Sequence, residues 1–231
     1  MPRIRDENTG TEELLRDARY HYAALLADPE TAHLSASVKK QMDALQQAEA
    51  ASQDADLVSL EKQALWNRAE YLHDQKQRVL ELWVQGAVGK NRRAPAYAEL
   101  YPHGLSDVIA LSGEEQERRV GLLVSKLGQH HADLHKKVGK ELEKLAQEAT
   151  LAEKAQKEAE TAAEHAYLDV RAARSELSRQ LRRNEGALIS LFPGDRARIR
   201  LYYRRPTKTR PEDPTPTPQP PPAPGPAPGP V

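Results

Sequence analysis

The sequence of 231 residues contains no cysteine and has few aromatic residues and few glycines. Without cysteine, the chain can form neither disulfide bonds nor a cysteine-ligated zinc site. Aromatic residues make up 5% of the chain and there are 12 glycines, a composition that disfavours an all-β sandwich and a glycine-rich nucleotide-binding fold. The 34 basic residues equal the 34 acidic residues, so the chain as a whole has no net charge that would attract nucleic acid or an anionic membrane.

Long apolar segments are also missing. The chain has no run of about 18 apolar residues, which is the length needed for a membrane-spanning helix. Residues 1–8 are polar and lack the apolar core of a secretory signal. From these absences we expect no membrane span and a cytoplasmic location.

Proline is rare until the end of the chain. Twelve of the 17 prolines lie between Pro206 and Pro230, a stretch without any large apolar residue. Such a segment cannot bury enough apolar surface to offset the entropy lost on ordering. The sequence therefore predicts a disordered, proline-rich tail over residues 206–231. It would act as a spacer or a tether, or as a docking strip through its Pro-x-x-Pro motifs.

The remainder of the chain is rich in residues that favour helices: Ala, Leu, Glu, Gln, Lys and Arg. Thr9 with Glu12, and Ser112 with Glu115, have the spacing of a helix-capping box. The apolar spacing fades over residues 52–56, which predicts a reversal of the chain there. Beyond it we expect a second core-facing stripe, formed by Leu57, Leu60, Ala64, Leu72, Val79 and Trp83.

The second half of the chain repeats features of the first. Six of the sixteen residues from 32 to 47 are identical to the residues one hundred positions later, and Leu100-Tyr101-Pro102 is echoed by Leu191-Phe192-Pro193. We interpret this as a tandem duplication, with a first helical hairpin unit over 1–112 and a second over 113–205. The second unit would bend at 128–129 and reverse near residue 149. The predicted fold is all-α, with two long antiparallel hairpins forming an elongated four-helix bundle.

Two Glu-x-x-His motifs are the main candidates for metal chemistry, and they contain His33 and His73. This spacing places a carboxylate and an imidazole on one face of a helix, as in di-iron bundles. The duplication maps His33 onto Asp133 at the shift of one hundred, and it maps His73 onto Asp169 at the shift of 96 that fits best after the predicted reversal. These four residues are therefore remote metal candidates. However, both histidines lie one step off the predicted apolar stripe, at its rim, and no further glutamates complete a di-iron set. We therefore predict no bound metal and no cofactor.

Motifs for catalysis are absent as well. The sequence contains neither a glycine-rich phosphate loop nor a Gly-x-Ser-x-Gly elbow, and it has no cysteine nucleophile. We therefore expect that the protein is not an enzyme.

Positive charge is concentrated near the end of the helical part. Residues 171–210 carry a net charge of +9, whereas residues 1–170 carry a net charge of −7. Arginines alternate with apolar residues before two tyrosines, which predicts a short extended segment with a basic face. The candidate interaction residues are Arg196, Arg198, Arg200, Tyr202, Tyr203, Arg204 and Arg205. They could bind an anionic ligand, or they could pair with acidic residues of the chain itself.

Two functions follow as hypotheses. The first is a non-catalytic helical scaffold or adaptor that binds protein partners, with a second copy of the chain as one further partner. The alternative is a nucleic-acid-associated protein that binds through the arginine-rich region 171–210. A steep salt dependence of nucleic-acid binding would distinguish the alternative from the first hypothesis.

Overall fold

A computed structural model describes residues 10–204. Within this range the chain is all-α and forms no strand, as predicted. Two of the seven α-helices are long, and the other five are short and lie before, between and after them. The α-helices are α1 (Thr11–Ala27), α2 (Ser35–Ala87), α3 (Pro95–Leu100), α4 (Leu105–Ile109), α5 (Gly113–His130), α6 (Ala132–Leu191) and α7 (Arg196–Leu201), and a 3-10 turn covers Ala32–Leu34.

The two long helices, α2 and α6, pack against each other in opposite directions. Lys76 near the end of α2 is ion-paired with Glu141 near the start of α6. At the other end of the pair, Gln180 of α6 donates a hydrogen bond to Ser37 of α2, with Nε2 and Oγ 3.0 Å apart. At 1.5 Å per residue, helices of 53 and 60 residues extend about 80 and 90 Å. The molecule is therefore built around one antiparallel pair of long rods.

The predicted reversals at 52–56 and near 149 are wrong, since α2 and α6 run through both positions. The polar residues at 52–56 weaken the apolar stripe but do not end the helix. Ser and Asp each cost roughly half a kcal/mol in a helix, and α2 contains neither proline nor glycine before Gly86. The predicted bend at 128–129 is displaced to His131, which separates α5 from α6. The four-helix bundle of two duplicated hairpins is not confirmed.

One hydrophobic core lies where α2 begins and α6 ends, and we call this region the first end. Helix α1 and the segment from α7 to Tyr203 pack here against the long pair. The buried side chains include Leu14, Leu25, Val38, Leu45, Leu177, Leu188, Phe192 and Tyr202.

A second hydrophobic core lies where α2 ends and α6 begins, and we call this region the second end. Helices α3, α4 and α5 cover the long pair here. The buried side chains include Leu80, Val84, Tyr97, Leu100, Tyr101, Val108, Leu123, Leu127 and Leu142. Each end is thus built from parts of both long helices, with shorter helices packed on them.

The middle of the long pair, which we call the bridge, has little apolar core. It comprises residues 53–72 of α2 and 150–169 of α6. In this part of α2 no residue is buried, and the buried residues of α6 are Glu153, Gln156 and Ala159. The same face of α2 points towards the core at both ends. Val38, Met42 and Leu45 are buried at the first end, and the residues five heptads later, His73, Gln77 and Leu80, are buried at the second end. Between Leu45 and His73 the same face carries mainly polar residues, and Trp66 is the exception.

The division into units 1–112 and 113–205 stays a prediction, although the two Leu-aromatic-Pro elements do have matching backbones. Tyr101 ends α3 with φ −127° and ψ 66°, and Phe192 ends α6 with φ −123° and ψ 65°. Each is followed by a glycine with positive φ, Gly104 and Gly194, and by a short helix. The predicted tail at 206–231 lies outside the described residues. None of the helices described is both long and apolar enough to cross a membrane.

Candidate functional site

The arginine-rich segment that the sequence singles out folds as a helix, so the predicted extended conformation is wrong. Residues Arg196–Leu201 form α7, and Asp195 caps it by accepting a hydrogen bond from the backbone N–H of Arg198, with 2.8 Å between donor and acceptor. Since a helix turns every 3.6 residues, alternating arginines do not share one face. Arg196 and Arg200 are exposed, whereas Ile199 is buried in the first end.

Arg198 pairs with two acidic residues of the chain itself. Its Nη2 lies 2.6 Å from an Asp28 carboxylate oxygen and 2.8 Å from a Glu30 carboxylate oxygen. The Tyr202 hydroxyl also donates to Asp28. The Tyr202 hydrogen bond, followed by the one from Arg198, lowers the pKa of Asp28 to about 2. The same pairing raises the pKa of Arg198 above its usual value. This arginine is therefore engaged within the fold.

The two tyrosines belong to the core of the first end. His21 Nδ1–H donates to the Tyr202 carbonyl over 2.9 Å, and His21 Nε2 accepts from Asn184 Nδ2 over 3.1 Å. The Tyr203 ring stacks on the His21 ring with 4.7 Å between centroids, and its hydroxyl donates to the Leu181 carbonyl. Burial lowers the pKa of His21, which keeps this imidazole neutral. Both ring nitrogens of His21 are satisfied by the protein.

The other predicted interaction residues differ in environment. Arg204 pairs with Asp17, with 3.1 Å between nitrogen and oxygen, and Arg205 lies outside the described residues. Arg196 and Arg200 remain exposed, as do Arg182 and Arg183 on α6. A role of these exposed arginines in binding stays a prediction.

A row of apolar side chains on α2 faces solvent. Val58, Leu65, Leu72 and Val79 recur at seven-residue intervals, and each is between 37% and 55% exposed. We call these four residues the bridge stripe; the first three lie in the bridge and Val79 lies beside the core of the second end. Leu57, Leu60 and Tyr71 beside them are also exposed. The predicted core-facing stripe shares only Leu72 and Val79 with the bridge stripe. Its residues Leu57, Leu60, Ala64, Leu72 and Val79 are all exposed and Trp83 is half-buried, so that prediction is wrong, because the assumed reversal allowed α2 to restart with a different face inward.

The four remote metal candidates do not come together. His33 lies just before α2 and His73 lies near its end, about 60 Å away at 1.5 Å per residue. Asp133 and Asp169 are exposed at separate places on α6. The prediction that His73 lies at the rim is wrong, since His73 is fully buried while Leu72 is exposed.

A cluster of polar side chains surrounds His73 where the bridge meets the second end. Glu70, His73 and Asp74 offer ligand atoms that all lie within 4.8 Å of one another. Gln116 of α5 is fully buried, and its Nε2 lies 2.9 Å from His73 Nδ1 and 3.1 Å from Glu70 Oε2. Burial lowers the pKa of His73, which favours the neutral imidazole. Sequence reasoning identified Glu70 and His73 but missed Asp74 and Gln116, because Gln116 arrives from another helix.

Comparisons with known proteins add no relative. No protein-family model matches the chain, no curated protein matches it, and no solved structure matches it. The functional argument therefore rests on the residues and their geometry.

Proposed function

We propose that the protein is a non-catalytic helical scaffold that binds a protein partner along the bridge stripe. The observation that carries this proposal is the exposure of Val58, Leu65, Leu72 and Val79 at heptad spacing. Apolar residues at this spacing form the seam between packed helices, and an exposed seam favours a helical partner.

The two ends of the molecule indicate how such a partner would pack. At the first end α1 lies against α2 and α6, and at the second end α5 lies along α6. Helix α1 begins beside Glu49 and Gln53, and Gly113 at the start of α5 lies beside Thr150. Between the start of α1 and the start of α5, no third helix within residues 10–204 packs on the long pair. Val79 is level with the second end and is still exposed, so the short helices do not cover the face of α2 that carries the stripe. A partner helix would therefore pack on this uncovered face, beside the long pair.

A paired-variant capture experiment tests the proposal. Leu65→Lys together with Leu72→Lys places two charges in the stripe without touching a buried side chain. The matched control is Leu26→Lys together with Leu201→Lys, since Leu26 and Leu201 are also exposed leucines but belong to the first end. All proteins should give the same helical circular dichroism.

The expected result is a partner that the wild type and the control retain and the stripe variant loses. That partner should also crosslink to Lys62 or Lys76, which lie between residues of the stripe in sequence. Equal retention by the stripe variant and the control would contradict the proposal.

Binding to nucleic acid is the second candidate, and the observation that favours it is the exposure of Arg182, Arg183, Arg196 and Arg200. Arginine binds phosphate through paired hydrogen bonds. If these side chains contact phosphates, the logarithm of the affinity should fall with the logarithm of salt concentration with a slope of several ions. A flat salt dependence with weak binding would dispose of this candidate.

A further inference from the structure

Three buried oxygen atoms near His73 have no hydrogen-bond partner: Asp74 Oδ1, Gln77 Oε1 and Gln116 Oε1. Gln77 and Gln116 are fully buried, on α2 and α5 respectively. A buried polar atom without a partner destabilises the folded state, and such atoms are uncommon in proteins. Three such oxygens around one histidine make this cluster a candidate ligand site.

Turning the amide groups does not remove this deficit. A neutral imidazole has one donor and one acceptor. As placed, Gln77 Nε2 lies 3.3 Å from His73 Nε2, and Gln116 Nε2 lies 2.9 Å from His73 Nδ1. Turning Gln77 lets its Oε1 accept from His73 Nε2–H. The oxygens of Asp74 and Gln116 still lack a donor.

Three of the separations between the polar atoms of this cluster match those expected for neighbouring ligands of one ion, and the ligand atoms of Glu70, His73 and Asp74 all lie within 4.8 Å of one another. His73 Nδ1 is 3.5 Å from Asp74 Oδ1, and the Gln116 amide nitrogen is 2.9 Å from His73 Nδ1 and 3.1 Å from Glu70 Oε2. Ligand atoms about 2.1 Å from a metal stand roughly 3.0 Å apart in octahedral geometry and roughly 3.4 Å apart in tetrahedral geometry. Turning the Gln116 amide would present its oxygen at this spacing.

Charge also favours a cation. Among residues 10–204, neither Glu70 nor Asp74 is ion-paired with a lysine or an arginine. The other oxygen of Glu70 accepts a hydrogen bond from Trp66 Nε1 at 3.3 Å, which orients the carboxylate. Two carboxylates beside a neutral imidazole would lose their mutual repulsion on binding a dication.

We propose that Glu70, His73, Asp74 and Gln116 bind one divalent first-row transition-metal ion that joins α2 to α5. The imidazole nitrogen disfavours Mg²⁺ and Ca²⁺, which prefer oxygen ligands, and favours ions of the zinc and manganese type. The ion fastens the start of α5 to the long pair at the junction of the bridge and the second end. This role is structural and does not depend on the bridge stripe.

Metal titration of the full chain tests the proposal. The purified protein is stripped with a chelator and titrated with Zn²⁺, Mn²⁺ or Mg²⁺ by calorimetry, and with Co²⁺ by visible absorption. We expect one Zn²⁺ per chain and no comparable Mg²⁺ binding. Glu70→Gln and Asp74→Asn should each weaken Zn²⁺ binding at least tenfold. His33→Gln is the matched control, because His33 belongs to an exposed Glu-x-x-His motif, and it should bind like the wild type.

Two further variants separate metal binding from a purely structural hydrogen-bond network. Gln116→Glu adds a carboxylate, so it should keep or tighten Zn²⁺ binding while destabilising the stripped protein. Gln116→Leu should weaken the binding. Circular dichroism of the stripped variants establishes that each is folded before titration.

Absence of stoichiometric Zn²⁺, Mn²⁺ and Co²⁺ binding in the stripped wild type would overturn the proposal. It would also be overturned if folded Glu70→Gln and Asp74→Asn bind like the wild type. If His135→Gln loses Zn²⁺ binding while Glu70→Gln and Asp74→Asn retain it, the ion binds at the turn between α5 and α6, and the proposal is also overturned.

Discussion

Each end of the molecule buries a histidine, and the two histidines have different surroundings. His21 at the first end donates to the Tyr202 carbonyl and accepts from Asn184, so both ring nitrogens have protein partners. His73 at the second end faces two amides, and three nearby oxygens remain without a donor. Burial alone does not distinguish a structural histidine from a ligand. We propose that the two cases differ in whether the surrounding hydrogen bonds are complete.

The largest expected change in the free energy of unfolding comes from core substitutions, which also test whether the two ends unfold as one cooperative unit. Leu177→Ala at the first end and Leu142→Ala at the second end each remove a fully buried side chain. Each should lower the free energy of unfolding by about 2–5 kcal/mol, because the lost contacts leave a cavity. Urea unfolding followed by circular dichroism should show a single transition in both variants, since α2 and α6 run through both ends. Two separate transitions would show that the bridge uncouples them.

The next effect compares the two histidine networks directly. Asn184→Leu leaves the buried acceptor nitrogen of His21 without a donor, which should cost about 1–3 kcal/mol. Gln116→Leu in the metal-free protein also removes an amide donor, from His73 and Glu70, but it removes an unsatisfied buried oxygen at the same time, so its net cost should be smaller than that of Asn184→Leu. Urea unfolding in the presence of a chelator measures both. Equal costs would remove the distinction between a complete and an incomplete network.

A smaller effect is expected from acidification. Burial lowers the pKa of both His21 and His73 below the ordinary value of 6.5. The unfolded chain therefore binds more protons, and the stability is fully present above pH 6.5 and is lost as the pH falls below it. The free energy of unfolding of the chelator-treated protein should decrease between pH 7.5 and pH 5, and His21→Gln should show a shallower decrease. An equally steep decrease in this variant would assign the titration elsewhere.

The smallest effect concerns Asp28, whose pKa is lowered to about 2 from its ordinary value of 3.8. This carboxylate stabilises the fold above pH 3.8, and its contribution is lost as the pH falls from 3.8 towards 2. Asp28→Asn should abolish this low-pH loss at the first end. Because the pair with Arg198 is partly exposed, high salt should reduce the loss as well. Acid unfolding, followed by tyrosine absorbance at low and at high salt in the wild type and in Asp28→Asn, measures this loss of stability.

The sequence predicted the helical class well because it depends on local composition, but it did not predict the connection of the helices. The fading stripe at 52–56 suggested a turn, yet the absence of glycine and proline from this stretch favoured continuation. A helix can have a polar contact face without being interrupted, and this is the case in the middle of α2.

The sites were predictable only in part for the same reason. Glu70 and His73 stand three residues apart on one helix, so spacing alone brings them together. Gln116 lies 43 residues after His73 and reaches it only because α5 packs beside α2 at this level. The arginines of 196–205 were identified as a charged group, but pairing of Arg198 with Asp28 depends on a contact across 170 residues.

The uninterrupted middle of α2 and α6 has a geometric consequence for how far apart the two ends can stand. Each added residue lengthens a helix by about 1.5 Å and rotates everything beyond it by about 100°. A change in one helix must therefore be matched in the other, and whole heptads are needed to keep both cores in register. Adding one heptad to both helices would consequently move the two ends apart by about 10 Å while each core keeps its register.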